Sequence, residues 1–140
     1  MNNLFIDTDV ILDLFIDRKP HHENAVLLFS KIKRNKLHCY TSPVIVANTF
    51  YILSKIKGKH YAIGKIKRLR RIMNILTITE KIIDLAIETP SKDFEDSIQY
   101  YCAKENKMSA IITRNVDDFP REKISIMEPI EVIKMIGKED

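Results

Sequence analysis

Short apolar runs ending in polar residues alternate along this chain with segments of helical period, a pattern that predicts an α/β sandwich on a mostly parallel sheet. Length agrees: 140 residues fit one domain, since domains cluster at roughly 100–150. No linker, repeat or change of composition divides it, so residues 1–140 read as a single unit. A 45% hydrophobic content can fill a core, and three Gly with five Pro exclude collagen-like or low-complexity chains.

Leu4, Phe5 and Ile6 read as a buried strand that stops at Asp7, and Val10, Ile11, Leu14 and Phe15 then repeat at helical spacing. A second helix is expected from about His22 to Lys33, with Ala25, Leu28, Phe29 and Ile32 on its buried face and Asn35 at its end. Leu37 to Thr41 reads as a strand. Ser42 and Pro43 suit the cap and first position of a helix carrying Ala47, Phe50, Tyr51 and Ser54, which Gly58 stops. A helix from Tyr61 uses Ile66, Leu69, Ile72 and Met73, and Ile75 to Ile78 reads as a short strand. Thr79 caps a helix with Ile82, Ile83, Ala86 and Ile87, closed by Pro90. Ser91 or Asp93 starts the next helix, to about Glu105. The remainder alternates again: strand Ala110 to Thr113, a polar turn through Asp118, strand Ile124 to Met127, and a helix from Pro129 to Ile136.

The formal net charge of +4 permits nucleic-acid binding without requiring it. Basic residues cluster from Lys55 to Arg71, where Lys65, Lys67, Arg68, Arg70 and Arg71 form either a solvated helix face or a surface for phosphate backbone. Asp7 and Asp9 come too early for a signal peptide, and no apolar stretch reaches the ~20 residues of a membrane span. Cys39 and Cys102 lack CxxC spacing and read as buried thiols in a reducing compartment, so a cytoplasmic location is expected. Scattered glycines exclude a phosphate-cradling loop, and no serine sits in a nucleophile elbow. The adjacent His21 and His22 lack zinc spacing and read as surface residues.

Open α/β sheets bind ligands beyond the carboxyl ends of their strands. Asp7 follows the first strand, Asp93 and Asp96 begin a helix, and Asn115, Asp117 and Asp118 follow the strand ending at Thr113. Taken singly, each acid suits a cap or a turn. Gathered together they would repel one another unless a hard cation such as Mg²⁺ or Mn²⁺ lay among them, and such a cation can activate water for attack on phosphorus.

Four segments carry a resemblance. LFIDTDVILDL, SPVIVANTFYIL, DFEDSIQYYCA and AIITRNVDDF, in that order, resemble the signature segments of PIN-domain proteins, and the likeness extends to MEPIEVIKMI near the end. The resemblance implies a three-layer α/β/α sandwich and a Mg²⁺- or Mn²⁺-dependent ribonuclease. It also implies an RNA substrate, a homodimer, and the role of toxin in a VapBC-type toxin–antitoxin pair, silenced by an antitoxin. Carried over, Asp7, Asp96 and Asp118 are metal ligands, with Asn115 also catalytic, while Thr8, Asn48, Asp93 and Thr113 line or support the site. The dimer surface is expected around Phe50, Tyr51 and Ile66.

Asn48 and Asn115 depart from the family pattern, standing where many members have Glu and Asp. The departure implies weaker metal binding unless Glu95 or Asp93 restores charge, and it leaves open a degenerate PIN domain that binds RNA or protein without cutting. A strand ending in Asp-x-Asp also resembles haloacid-dehalogenase phosphatases, but their Gly-Asp-rich metal loop is missing here. Under the PIN reading Asp9 is expected to face solvent or cap its helix.

Overall fold

Strand β1 (Asn3–Ile6) forms the centre of the sheet, with Leu4, Phe5 and Ile6 wholly buried, as befits a parallel strand covered on both faces. The computed structural model describes residues 2–89, 93–120 and 123–139. In it β1 lies between β2 (His38–Thr41) and β4 (Ala110–Ile112), with β3 (Asn74–Ile75) and β5 (Ser125–Met127) on the edges. Every pairing is parallel and the order is β3-β2-β1-β4-β5.

Helices α1 (Thr8–Phe15), α2 (His21–Arg34), α3 (Pro43–Lys57) and α4 (Lys59–Ile72) carry the chain outward from β1 to β3. Helices α5 (Glu80–Glu88) and α6 (Phe94–Glu105) return it to β4, and α7 (Pro129–Glu139) follows β5. Parallel crossovers are right-handed, so the outward and returning helices cover opposite faces. Packing agrees: α5 lies on α6, α3 on α4, and α7 on α2. The three layers expected of the sequence are present. Among the described residues, no helix is long and apolar enough to cross a membrane.

Side-chain caps set the helix starts. Ser42 accepts from the Ile45 N–H at 3.2 Å, Thr79 from that of Ile82 at 3.3 Å, and Asp93 from those of Glu95 and Asp96 at 2.8 and 3.3 Å. Gly58 separates α3 from α4 with φ of +87°, a conformation that strains any L side chain. Cys39 and Cys102 are buried as expected, and burial pushes their thiols up to about 12 and 11.

Several expectations are corrected. The strand expected at Ile75–Ile78 is only Asn74–Ile75. After Leu76 donates to the Thr41 carbonyl at 2.8 Å, β2 gives way to α3, and the Thr77 carbonyl instead accepts from Asn106 Nδ2 at 3.3 Å. On α3 the buried positions are Ile45, Thr49 and Leu53, while Ala47 and Tyr51 are exposed. Thr49 can be buried because its hydroxyl donates to the Ile45 carbonyl at 2.7 Å. Ile72 and Ile87, expected inside, are exposed. His21 and His22 are both half-buried rather than surface residues, the His22 Nδ1 lying 2.9 Å from the Asp13 carbonyl. The expected helix stop at Pro90 and the alternative start at Ser91 lie outside the described residues.

Candidate active site

The strand order reverses between β1 and β4, which carry the chain to opposite sides of the sheet. The crevice beyond the carboxyl ends of two such strands is where an α/β sheet binds ligands. Ile6 pairs with Ile112, so the residues that follow, Asp7 and Thr113, emerge side by side. Asp7 caps α1, its Oδ1 accepting from the Thr8 N–H at 2.9 Å and its Oδ2 from the buried Thr113 hydroxyl at 2.9 Å. Across the crevice Asp93 caps α6 and holds Asp96 in the first turn of that helix.

A cavity of about 400 Å³ opens here, lined by Asp7, Thr8, Asp9, Asn48, Glu95, Asp96 and Asn115 together with apolar side chains. The expected residues Asp7, Thr8, Asn48, Asp96 and Asn115 therefore do converge. Asp118 and Asp93 line an adjoining cavity of about 510 Å³ whose wall also includes Asp96. Thr113 lies beneath Asp7 and acts on the site through its hydrogen bond.

Asp9 overturns its sequence reading. It neither faces solvent freely nor caps α1, the cap being Asp7. Its Oδ2 accepts from the Arg114 N–H at 3.0 Å, from Asn115 Nδ2 at 3.0 Å and from the Thr113 hydroxyl at 3.4 Å. Its Oδ1 is buried and finds no hydrogen-bond donor among the described residues. Glu95 enters the same cavity, accepting a hydrogen bond from Asn48 Nδ2. Each amide that departs from the family pattern thus hydrogen-bonds a carboxylate that lines the cavity, Asn48 to Glu95 and Asn115 to Asp9.

The electrostatics follow from this crowding. Burial, and after it the Asp9 charge, pushes Asp7 up to about 7, against the pull of the Thr8 and Thr113 hydrogen bonds. Burial also raises Asp9, opposed by Arg114. Asp96 is pushed up to about 6, first by burial and then by the charges of Asp93, Asp118, Glu95 and Asp9. Without a cation these acids hold protons that ordinary carboxylates release. The N-termini of α1 and α6, whose caps are Asp7 and Asp93, bring positive helix-dipole ends to the crevice, which partly offsets the repulsion.

Among the described residues no group of three or more His, Cys, Asp or Glu side chains forms a ready-made metal cage. The basic residues lie apart. Lys65 is half-buried, its Nζ 5.5 Å from the centre of the Tyr61 ring, while Lys67, Arg68, Arg70 and Arg71 are exposed along α4, and none of the five lines the carboxylate cavity. Asp13 and Arg114, which sequence reasoning passed over, form an ion pair beside the site. A lone charge inside the apolar run Val10–Phe15 was the available signal for the first of them.

A family model described as the PIN domain matches residues 3–117. The chain belongs to the PIN-domain family. This PIN domain is 31% identical over 117 residues to Ribonuclease VapC1 of Aquifex aeolicus (strain VF5), covering 80% of this chain and 81% of that protein. Among solved structures, VapBC-1 of nontypeable Haemophilus influenzae aligns with a TM-score of 0.69 at 16% identity, over 91% of this chain and 98% of that one. VapBC2 of Rickettsia felis, bound to a promoter DNA fragment, gives 0.67 at 14%, over 90% and 98%. VapC20 of Mycobacterium tuberculosis, a toxin that cleaves the sarcin-ricin loop, gives 0.61 at 16%, over 77% and 86%. At these identities the structures speak for the PIN fold alone.

Proposed function

We propose that this PIN domain is a divalent-metal-dependent endoribonuclease and the toxin of a VapBC-type toxin–antitoxin pair, working in the cytoplasm as a single-domain protein. The observation that carries the reading is the convergence of Asp7 and Asp96 in one cavity at the switch point of the sheet. Likeness to Ribonuclease VapC1 supports the nuclease, and the VapBC structures of the same fold support an antitoxin partner.

The donor set fits Mg²⁺ or Mn²⁺. It is all oxygen, and its acids are raised by burial first and by neighbouring carboxylate charge after it. Mg²⁺ is usually held by one or two carboxylates, with waters and substrate phosphate filling the other positions. Asp7 and Asp96 would be the direct ligands, with Asp118 and Asn115 completing the site through water. When bound, the metal supplies an activated water and neutralises charge growing on the phosphoryl group. Thr113 orients Asp7 by its hydroxyl, and Asp93 fixes the turn that presents Asp96. Asn48 directs Glu95 into the cavity, where it can accept a proton from an attacking water.

Calorimetry with Mn²⁺, run beside cleavage of a structured RNA with and without chelator, tests the reading. Binding together with chelator-sensitive cleavage supports it. No binding at millimolar Mn²⁺ favours the degenerate PIN domain instead.

RNA would run over α4. Replacing Lys67 and Arg68 by Ala is expected to weaken RNA binding and to flatten its salt dependence by about one to two in log–log slope, at ~0.7 per single-strand phosphate contact. An unchanged slope would return both to a solvated face. The α3–α4 surface, where Tyr51 is exposed and Phe50 and Ile66 are half-buried, is the proposed homodimer contact, and sedimentation of Tyr51→Glu should yield monomer where the unaltered chain yields dimer.

A further inference from the structure

Asp13 is a buried carboxylate, 1% exposed, among apolar neighbours of α1. Arg114 meets it with two hydrogen bonds, Nε to Oδ2 at 2.7 Å and Nη2 to Oδ1 at 3.3 Å, and Arg18 Nη2 adds a third at 3.0 Å. A buried ion pair is rarely the most stable filling for its volume, because desolvation offsets much of the attraction and apolar residues of similar size do as well or better. Stability alone therefore does not account for it.

Its placement suggests an account. Asp9 and Asp13 lie four residues apart and so share one face of α1. Arg114 holds both, Asp13 through its guanidinium and Asp9 through its main-chain N–H. Its neighbours Thr113 and Asn115 also bond Asp9, and Thr113 bonds Asp7. The segment leaving β4 is thereby fastened to α1 at two levels, one in the cavity and one a helical turn behind it.

We infer that Arg114 and Asp13 are positioning residues: their ion pair latches the Thr113–Asn115 segment to α1 and thereby sets the orientation of Asp7 and Asp9 in the cavity. The inference rests on the metal-site reading above. Partners that orient ligands from outside the site typically change metal affinity or activity by roughly 10–100-fold when removed.

The test replaces both charges at once, Asp13→Leu with Arg114→Met, so that no unpaired charge stays buried. The double variant should keep its helical circular dichroism and a melting temperature near that of the unaltered protein, while its Mn²⁺ affinity by calorimetry falls at least ~10-fold and kcat on RNA falls with KM little changed. Arg114→Lys keeps the charge and loses the fork; it should lie between the two, and it decides the matter if the double variant does not fold. A folded double variant, or Arg114→Lys, that binds Mn²⁺ as tightly as the unaltered protein overturns the latch. Failure of the unaltered protein to bind Mn²⁺ overturns the metal reading and the latch with it.

Discussion

Asp7→Asn is expected to abolish RNA cleavage and, in metal-free protein at pH 8, to raise the melting temperature by roughly 5–10 °C, corresponding to about 2 kcal/mol. The sign follows from the raised acid. In the folded state Asp7 keeps its proton until about 7, whereas the ordinary value is 3.8. Between those values the native chain binds a proton that the unfolded chain has released, so stability falls as pH rises through the window, and the deficit is complete above it. The full displacement corresponds to on the order of 4 kcal/mol, part of which Asp9 shares because its charge is among the causes. Asn carries no charge to desolvate, still caps α1 and can still bond Thr113. Near pH 4 the two proteins should melt together. Saturating Mn²⁺ should reverse their order at pH 8, since a ligand at a hundred times its Kd adds about 2.7 kcal/mol to the protein that binds it. An Asp7→Asn protein that melts below the unaltered chain in EDTA at pH 8 would refute this account of the site as one built under repulsion.

The large features of this PIN domain were legible because they are local. The Leu4–Ile6 part of β1 and all of β4 are apolar runs, and Ser42, Thr79 and Asp93 announce their helices by chemistry acting within three residues. Asp7 and Asp96 could be placed because each stands at an element boundary. Asp9 could not, since what draws it into the site is the register of Ile6 on Ile112, which lays residues 113–115 over the first turn of α1. No pattern within α1 encodes that pairing. The same holds for the amides: Asn48 reads as a lost carboxylate until α6 brings Glu95 to it. The buried face of α3 was misread for a different reason, because Thr49 counts as polar in a pattern but is satisfied internally by its own helix.

Asp96→Asn should lower cleavage at least ~10³-fold, or about 4 kcal/mol in the barrier, and Mn²⁺ affinity about 100-fold. Asp118→Asn should change either by less than ~10-fold, the range of an outer partner. The contrast follows from where the two acids sit. Asp96 is part of the wall of both cavities and shares the first of them with Asp7, so a hard cation held by these two acids would lose one of its two direct ligands. Its amide analogue is nearly isosteric, and the Asp93 cap that holds the turn uses the Asp96 backbone, so the fold survives the change. Asp118 is exposed at the end of a 3₁₀ turn, Val116–Asp118, and acts on Asp96 by its charge from the adjoining cavity. Removing that charge also eases deprotonation of Asp96, so at pH 6 Asp118→Asn should retain more of its pH 8 activity than the unaltered enzyme does. Losses of equal size in the two variants would instead place the metal between the cavities, with Asp118 as a direct ligand and Asp7 displaced from that role.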